Sequence, residues 1–498
     1  MILFRLIKEL NHWKENKDSI NIIANILDGE ESKAHPLISP CFGDPNNRDV
    51  LSGGWIQKNY FQKINDKIVA SDGQCYIKGG PRYHIAVDAV DSKACIVTSG
   101  GLTPGLNVVI RELVMALRYN YGVPEVWGVR FGFQGFMNPD FWVKLEPEQI
   151  KEIHQQGGSI LGVSRGPFDC EGIIKELTKR KINLVFFIGG DGTHKAIAQI
   201  YEGLKKEKLE KKIILAGIAK SLENDIPIID RSFGLESAVQ ESKHIISAAN
   251  VEANCNLNGI SIVKLAGKTT GFIPMYATLA ARDVNICLIP EVPFNLYGEN
   301  GLLDFLFQRI KIKEHCVMVI GEGSGYAFMD YGHEENKGNG KSSKTIEKLK
   351  EDLAQSQKKM GDIGVLLKKE IIKKSEELGI DVSVKLIDTT YMIRAIPANS
   401  YDCNLCAKLA ESAVHCAFAG YTNFTVGMIN NHPCMIPINK ITASKRKVEQ
   451  DGEDYLMLLA STGQPSFYPN VCLDKTIEVS NTNELQFSDD DYDSLKPK

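Results

Sequence analysis

"INLVFFIGGDGTHKAIAQIYEGL", residues 182–204, decides the fold. Leu184 to Ile188 form an apolar run that reads as a buried strand. Gly189, Gly190 and Gly192 end it, and a helix is expected to begin near Thr193. The order strand, glycines, helix is half of a parallel βαβ unit.

The same plan recurs on both sides. "ACIVTSGG" (94–101) runs into the helical "TPGLNVVIRELVMALRYNYG" (103–122), "EVWGVRFG" (125–132) is a further strand, and "KIILAGIAKSLENDI" (212–226) repeats the plan. A second series follows. "GISIVKLAG" (259–267) precedes a helix through "TLAARD", "NICLIPEVPF" (285–294) precedes "GLLDFLFQRIKI", and then come "HCVMVIGEGSG" (315–325) and "VSVKLIDTT" (382–390). The expected fold class is α/β, with two Rossmann-like doubly wound parallel-sheet domains and an N-terminal extension. The expected bounds are an extension over 1–90, a first α/β domain over 91–240 completed by 398–445, a second over 241–397, and a C-terminal extension over 446–498. The polar stretch 327–350 reads as a mobile surface loop within the second domain, and "NTNELQFSDDDYDSLKPK" (481–498) as an acidic tail.

With 498 residues the chain is long enough for two or three domains. Hydrophobic residues make up 43%, charged residues 24%, and the net charge is -4, which gives no reason to expect nucleic acid or a membrane as partner. No apolar run approaches the roughly 18 residues needed to cross a bilayer. The N-terminal "MILFRLIKELNHWKENKDSINIIANIL" is amphipathic at helical spacing, without a signal peptide's apolar core, and reads as a packed helix or a docking helix, with packing favoured. Among twelve cysteines, Cys403 and Cys406 form a CxxC, but no second ligand pair accompanies them. Structural cysteines are expected.

The glycines at 189, 190 and 192 let a ligand approach the backbone, and the helix N-terminus behind them favours an anion such as phosphate. Asp191 stands where it could hold Mg²⁺, directly or through water. "TSGGLTPGLNVVIRELV" (98–114) repeats the design with Gly100, Gly101 and Gly105, and it lacks a Walker lysine. Two such loops at one sheet edge suit a single nucleotide. In "GIAKSLENDIPIID" (217–230), Lys220 and Ser221 precede two carboxylates, Glu223 and Asp225. This is either a catalytic base beside a metal-linked acid or a polar turn after a buried strand.

The order of motifs GGLxPGLN, "GGSILGVSRGP", GGDGT, Lys–hydroxyl–x–acid–Asn–Asp, "LIPE", "GEGSG" and "YMIRAIPAN" resembles the 6-phosphofructokinases, above all the long-chain group of plants and trypanosomatids. The resemblance covers roughly residues 35 to 445. It implies transfer of the γ-phosphoryl of ATP to the 1-hydroxyl of fructose 6-phosphate, with Mg²⁺ as cofactor and ATP as co-substrate. Carried over, Asp191 resembles the Mg²⁺-associated acid, and Gly101, Arg165, Gly190, Gly192 and Thr193 the nucleotide-phosphate site. Pyrophosphate-dependent relatives carry Asp at the place of Gly192, so glycine favours ATP. Glu322 resembles the acid on the sugar hydroxyls, Tyr391 and Arg394 the pair at the sugar 6-phosphate, and Lys385 a basic residue that reaches that phosphate, in some members from a neighbouring subunit. Ser221, Gly267 and Lys268 complete the sugar side. The family's assembly implies a homo-oligomer, usually a tetramer, and the expected location is cytoplasmic.

Two stretches depart from the family pattern. The base position, an Asp in the family, holds Glu223, with Ala219 before Lys220. The extra methylene moves the carboxylate by about 1 Å, a displacement that can cost on the order of 10²-fold in rate. "LAGKTTG" (265–271) has Lys268 where the family has Arg, which keeps the charge and loses the planar fork. The sequence therefore leaves two readings: an ATP-dependent 6-phosphofructokinase of full or reduced activity, or a catalytically silent paralogue serving as a regulatory or structural subunit.

Overall fold

The computed structural model describes residues 76–164, 166–298, 301–325 and 362–467, and the backbone alone at 21–22, 37–38, 55–58, 61–64, 67–70 and 74–75. The loop 327–350, the acidic tail and Arg165 lie outside the described residues, as does most of the expected N-terminal helix. Within that helix, Asn21–Ile22 instead form an antiparallel pair with Tyr421–Thr422.

The larger sheet has nine strands, in the spatial order Trp142–Lys144, Glu125–Val129, Lys93–Thr98, Leu184–Gly189, Ile214–Ala219, Phe424–Ile429, His432–Pro437, Gln74–Lys78 and Trp55–Lys58. The five from Glu125–Val129 to Phe424–Ile429 are parallel. The flanks are antiparallel, so this sheet is mixed where a wholly parallel one was expected. On the His432–Pro437 flank the reason is local. Asn430 and Asn431 both take positive φ, 49° and 62°, and close a two-residue hairpin between Ile429 and His432. Paired positive φ values give the turn whose twist matches antiparallel strands, and Asn tolerates them. Two stretches upstream of residue 90, Trp55–Lys58 and Gln74–Lys78, extend the edge beyond that hairpin.

The smaller sheet is parallel throughout, in the order Ile286–Leu288, His315–Gly321, Gly259–Leu265, Ser383–Asp388. The central strands of both sheets are buried end to end, so Leu184–Gly189 and Ile214–Ala219 read as continuous apolar runs rather than alternations, and Gly259–Leu265 departs from this only at Ser261 and Lys264.

Helices cover both faces of the larger sheet. Leu106–Met115 and Ser400–Phe418 pack on one face, Cys170–Lys179 and Asp191–Lys206 on the other. The CxxC lies inside Ser400–Phe418 as free thiols. Cys406 is fully buried against Gly105, where a Cβ would come within 2.6 Å of its sulfur. Among the described residues no group of His, Cys, Asp and Glu forms a metal cluster.

The loops after the strands place most of the described candidate residues at the C-terminal edges of the two sheets, where open α/β sheets bind ligands, while Lys385 lies within the strand Ser383–Asp388. The two edges face each other. Glu223, after the larger sheet's Ile214–Ala219, accepts hydrogen bonds from the backbone of Lys268 and Thr269, after the smaller sheet's Gly259–Leu265.

Candidate active site

The cleft between the edges encloses about 730 Å³. On its first wall lie the two glycine loops. The helix Asp191–Lys206 begins two residues earlier than the sequence suggests, with Gly190 as its cap and Asp191 in its first turn. Gly189 must be glycine: a Cβ there would lie 2.0 Å from the Thr193 hydroxyl, so the turn could not close. At Gly192 a Cβ would meet nothing within 4 Å. The missing side chain there leaves open cleft, not packing. The loop Ser99–Thr103 stands beside it, held by Ser99 N on Ile188 O (3.0 Å) and Gly100 N on Ser164 O (3.2 Å).

Lys220 fastens this wall. It is buried, and its ammonium donates to Gly101 O at 2.8 Å and to the Thr103 hydroxyl at 3.5 Å. Ser221 follows, its hydroxyl donating to Asp225 Oδ1 at 2.6 Å. The other Asp225 oxygen pairs with Lys445 at 3.0 Å. Asp191 pairs with Lys195 at 2.8 Å, one helical turn on.

Glu223 bridges to the opposite wall. One carboxylate oxygen takes Lys268 N–H at 3.1 Å and Thr269 N–H at 3.4 Å, and its backbone carbonyl takes the Thr270 hydroxyl at 2.9 Å. Burial pushes its proton affinity above the ordinary glutamate range. The two amide bonds oppose that push, and the charges of Asp225 and Glu322 add to it. The turn that follows is strained. Ile228 holds a φ of 75°, an outlier for a β-branched residue, and Ile229 N closes a three-residue turn on Pro227 O at 2.9 Å. Asn224 is also left-handed, with its side-chain N–H₂ buried and unpartnered among the described residues. Such costs concentrate where a site over-determines its backbone.

Arg394 reaches the cleft from the turn after Ser383–Asp388, with its guanidinium 3.7 Å from Glu322 and 5.0 Å from the centre of the Tyr391 ring. This turn rests on a buried cation. Lys264 pairs with Asp388 at 2.7 Å and with Asp362, the cap of helix Ile363–Leu378. The Lys264 carbonyl takes both the amide and the hydroxyl of Thr389, and Asp388 takes those of Thr390.

Of the residues singled out in the sequence, Gly101, Gly190, Asp191, Gly192, Thr193, Lys220, Ser221, Glu223, Asp225, Lys268 and Arg394 line this one cleft. Gly267 adjoins it, and Glu322 touches it through Arg394. Lys385 and Tyr391 do not line it. Lys385 sits 4.0 Å from Glu252, and Tyr391 is 78% exposed. Lys445, Thr103, Lys195 and the aromatic pair Phe133 and Phe168 line the cleft without having been singled out. No local motif marks Lys445, which comes from a segment about 220 residues from Asp225 in sequence.

Glycine loops on one wall, carboxylates at the seam and cations on the other define an α/β protein that handles phosphates between two facing sheet edges. Known proteins place it further. The Phosphofructokinase family profile matches residues 93–417. ATP-dependent 6-phosphofructokinase 1 of Arabidopsis thaliana is 44% identical over 87% of this chain and 90% of its own length. The ATP-dependent 6-phosphofructokinase of Borreliella burgdorferi is 38% identical over 88% of this chain and 95% of its own. A crystal structure of the pyrophosphate-dependent phosphofructokinase from Marinobacter aquaeolei shares the fold, with a TM-score of 0.60 and 17% identity over 75% of this chain and 91% of that one. The chain belongs to the phosphofructokinase family.

Proposed function

We infer that the chain is an ATP-dependent 6-phosphofructokinase, moving the γ-phosphoryl of ATP to the 1-hydroxyl of fructose 6-phosphate. The observation that carries this reading is the open space at Gly192, set in a glycine wall among relatives of 38–44% identity named as ATP-dependent enzymes. A carboxylate at that position would project into the cleft, against the inner phosphates.

We propose the following division of labour. The backbone of Gly101, Gly190, Gly192 and Thr193, with the N-terminus of helix Asp191–Lys206, holds the nucleotide phosphates. Arg165 would join them, though it lies outside the described residues. Lys220 fixes the two glycine loops to each other. Glu223 takes the proton of the attacking hydroxyl, and its two amide bonds orient the carboxylate across the seam. Asp225, held by Ser221, supports that segment. Lys268, Arg394 and Glu322, beside Gly267, face the sugar, while Tyr391 and Lys385 reach its 6-phosphate in the assembled oligomer.

Asp191 is part-exposed at the cleft and, among the described residues, belongs to no group of His, Cys, Asp and Glu that could hold a metal by itself, which suits a Mg²⁺ ion carried in on phosphates and held by one carboxylate and water. When bound, the ion neutralises charge on the phosphate oxygens. Among the described residues no helix is long and apolar enough to cross a membrane. A cytoplasmic homotetramer is proposed from the family's habit, and light scattering of the purified chain tests it.

The deciding experiment is a coupled assay with Mg²⁺, fructose 6-phosphate and either ATP or pyrophosphate. ADP and fructose 1,6-bisphosphate from ATP alone are expected. Turnover with pyrophosphate instead, or with neither donor, would overturn the reading.

A further inference from the structure

The segment 442–452 leaves the larger sheet after the short helix Ile438–Ile441 and runs to the helix Glu453–Thr462, which packs on Phe272–Ala281 beside the smaller sheet. It is pinned on both sides of the seam. Arg446 N donates to Asp225 O at 2.9 Å. The Arg446 guanidinium reaches Ile229 O at 3.1 Å and Asp230 O at 2.5 Å, and lies 5.0 Å from the Phe272 ring centre. Two residues on, Val448 N donates to Glu291 Oε1 at 2.9 Å, and the same oxygen takes Gly271 N at 3.0 Å.

These contacts account for the crossing without Lys445. The Lys445 side chain is half-exposed, lines the cleft and meets Asp225 Oδ2 at 3.0 Å. A pair with one partner half-exposed contributes little to folding. Partial burial works against the ammonium, yet Asp225, Glu223 and Asp191 together hold its pKa above the ordinary lysine range.

We propose that Lys445 is a substrate-contacting cation of the cleft, which leaves Asp225 for the γ-phosphate of bound ATP. The proposal rests on the phosphoryl-transfer reading above. A moving phosphoryl spreads its charge over three oxygens and needs cations aimed at it. The other cations lining the cleft are likewise tied, Lys220 to Gly101 and Thr103, Lys195 to Asp191 and Arg394 to Glu322, and Lys445 is the one tied to Asp225. Lys268, in place of the family's Arg, brings an ammonium instead of a fork. When Lys445 moves away, Asp225 is not left bare, because Ser221 still donates to its other oxygen at 2.6 Å. No bond changes beyond those of the transfer itself.

The test compares Lys445→Met, Lys445→Arg and Lys447→Met. Lys447 belongs to the same segment but does not line the cleft. Each protein is titrated with ATP and with ADP by calorimetry, and kcat and KM are measured. Lys445→Met is expected to lose about tenfold in ATP affinity, the scale of one charge-assisted hydrogen bond, with ADP affinity kept within about twofold. Its kcat falls, Lys445→Arg recovers part of both, and Lys447→Met matches the unsubstituted chain. Unchanged ATP affinity and turnover in Lys445→Met, or equal losses for ATP and ADP, would overturn the proposal. If the unsubstituted chain prefers ATP to ADP but turns over no sugar phosphate, the kinase reading fails while this ratio still decides the role of Lys445. No preference for ATP in the unsubstituted chain would overturn the proposal as well.

Discussion

The two walls of the cleft are built by different means. The wall proposed for the nucleotide is backbone: glycine loops at 98–105 and 189–193, each leading into a helix and each contiguous in sequence. The opposite wall and the seam are side chains delivered from afar. Glu223, Lys268, Glu322, Arg394 and Lys445 come from five separate segments. A backbone wall is specified by a few glycines and tolerates little change. A side-chain wall can drift, and both departures from the family pattern, Glu223 and Lys268, fall on it.

The largest effect should come from the seam. Glu223→Gln keeps the size of the side chain and removes the proposed base, so kcat should fall by about 10²- to 10⁴-fold while the melting temperature stays close to that of the unsubstituted chain. The pH profile gives an independent reading. Burial raises the Glu223 proton affinity, so its carboxylate is lost as pH falls through a value above the ordinary glutamate range. The acid limb of kcat should lie there and vanish in whatever rate remains in Glu223→Gln. An acid limb in the ordinary range would assign the base elsewhere.

Next in size is Gly192→Asp on the nucleotide wall. The open space at Gly192 admits the side chain, so the fold should survive. The added carboxylate faces the phosphates of ATP, and a like-charge juxtaposition costs several kcal/mol. The expected fall in kcat/KM for ATP is therefore about 10²-fold or more, with KM for fructose 6-phosphate little changed. Unaltered ATP kinetics would show that the nucleotide does not lie along Gly192.

The same contrast explains what could be read from the chain alone. The parallel core was legible because Leu184–Ile188 and Ile214–Ile218 are buried on both faces and carry apolar residues without a break, and Ile260–Leu265 is interrupted only by Ser261 and Lys264. The antiparallel flank was not, since it depends on two asparagines at 430 and 431 taking positive φ. Gly101, Gly190, Gly192 and Thr193 were legible because a turn and a helix start are local events. Lys445 and the Lys264–Asp362–Asp388 cluster carry no local signature, because the fold alone brings their charges together. Lys385 and Tyr391 show the reverse: motif order singled them out, and the described chain places them outside the cleft.

Lys264→Met probes that silent cluster and should have an intermediate effect. The two aspartates are part-exposed, so losing their shared cation costs about 1–2 kcal/mol, less than a fully buried pair would. Chemical denaturation measures this. The turn 389–394 should loosen with it, raising KM for fructose 6-phosphate through Arg394 and leaving KM for ATP alone. A rise in both constants would mean that Lys264 holds the whole domain rather than one turn.

The smallest change expected is Lys268→Arg, and its sign is informative. The Lys268 backbone already serves the seam by donating to Glu223, and that bond is indifferent to the side chain. Restoring a planar guanidinium adds one donor toward a phosphate oxygen, worth about 1 kcal/mol, or roughly fivefold in KM for fructose 6-phosphate. A drop of that size with ATP kinetics unchanged would locate the loss on the sugar side alone. A rise would mean that the cleft has closed around the slimmer lysine, with Lys445 and Arg394 filling the space the fork would need.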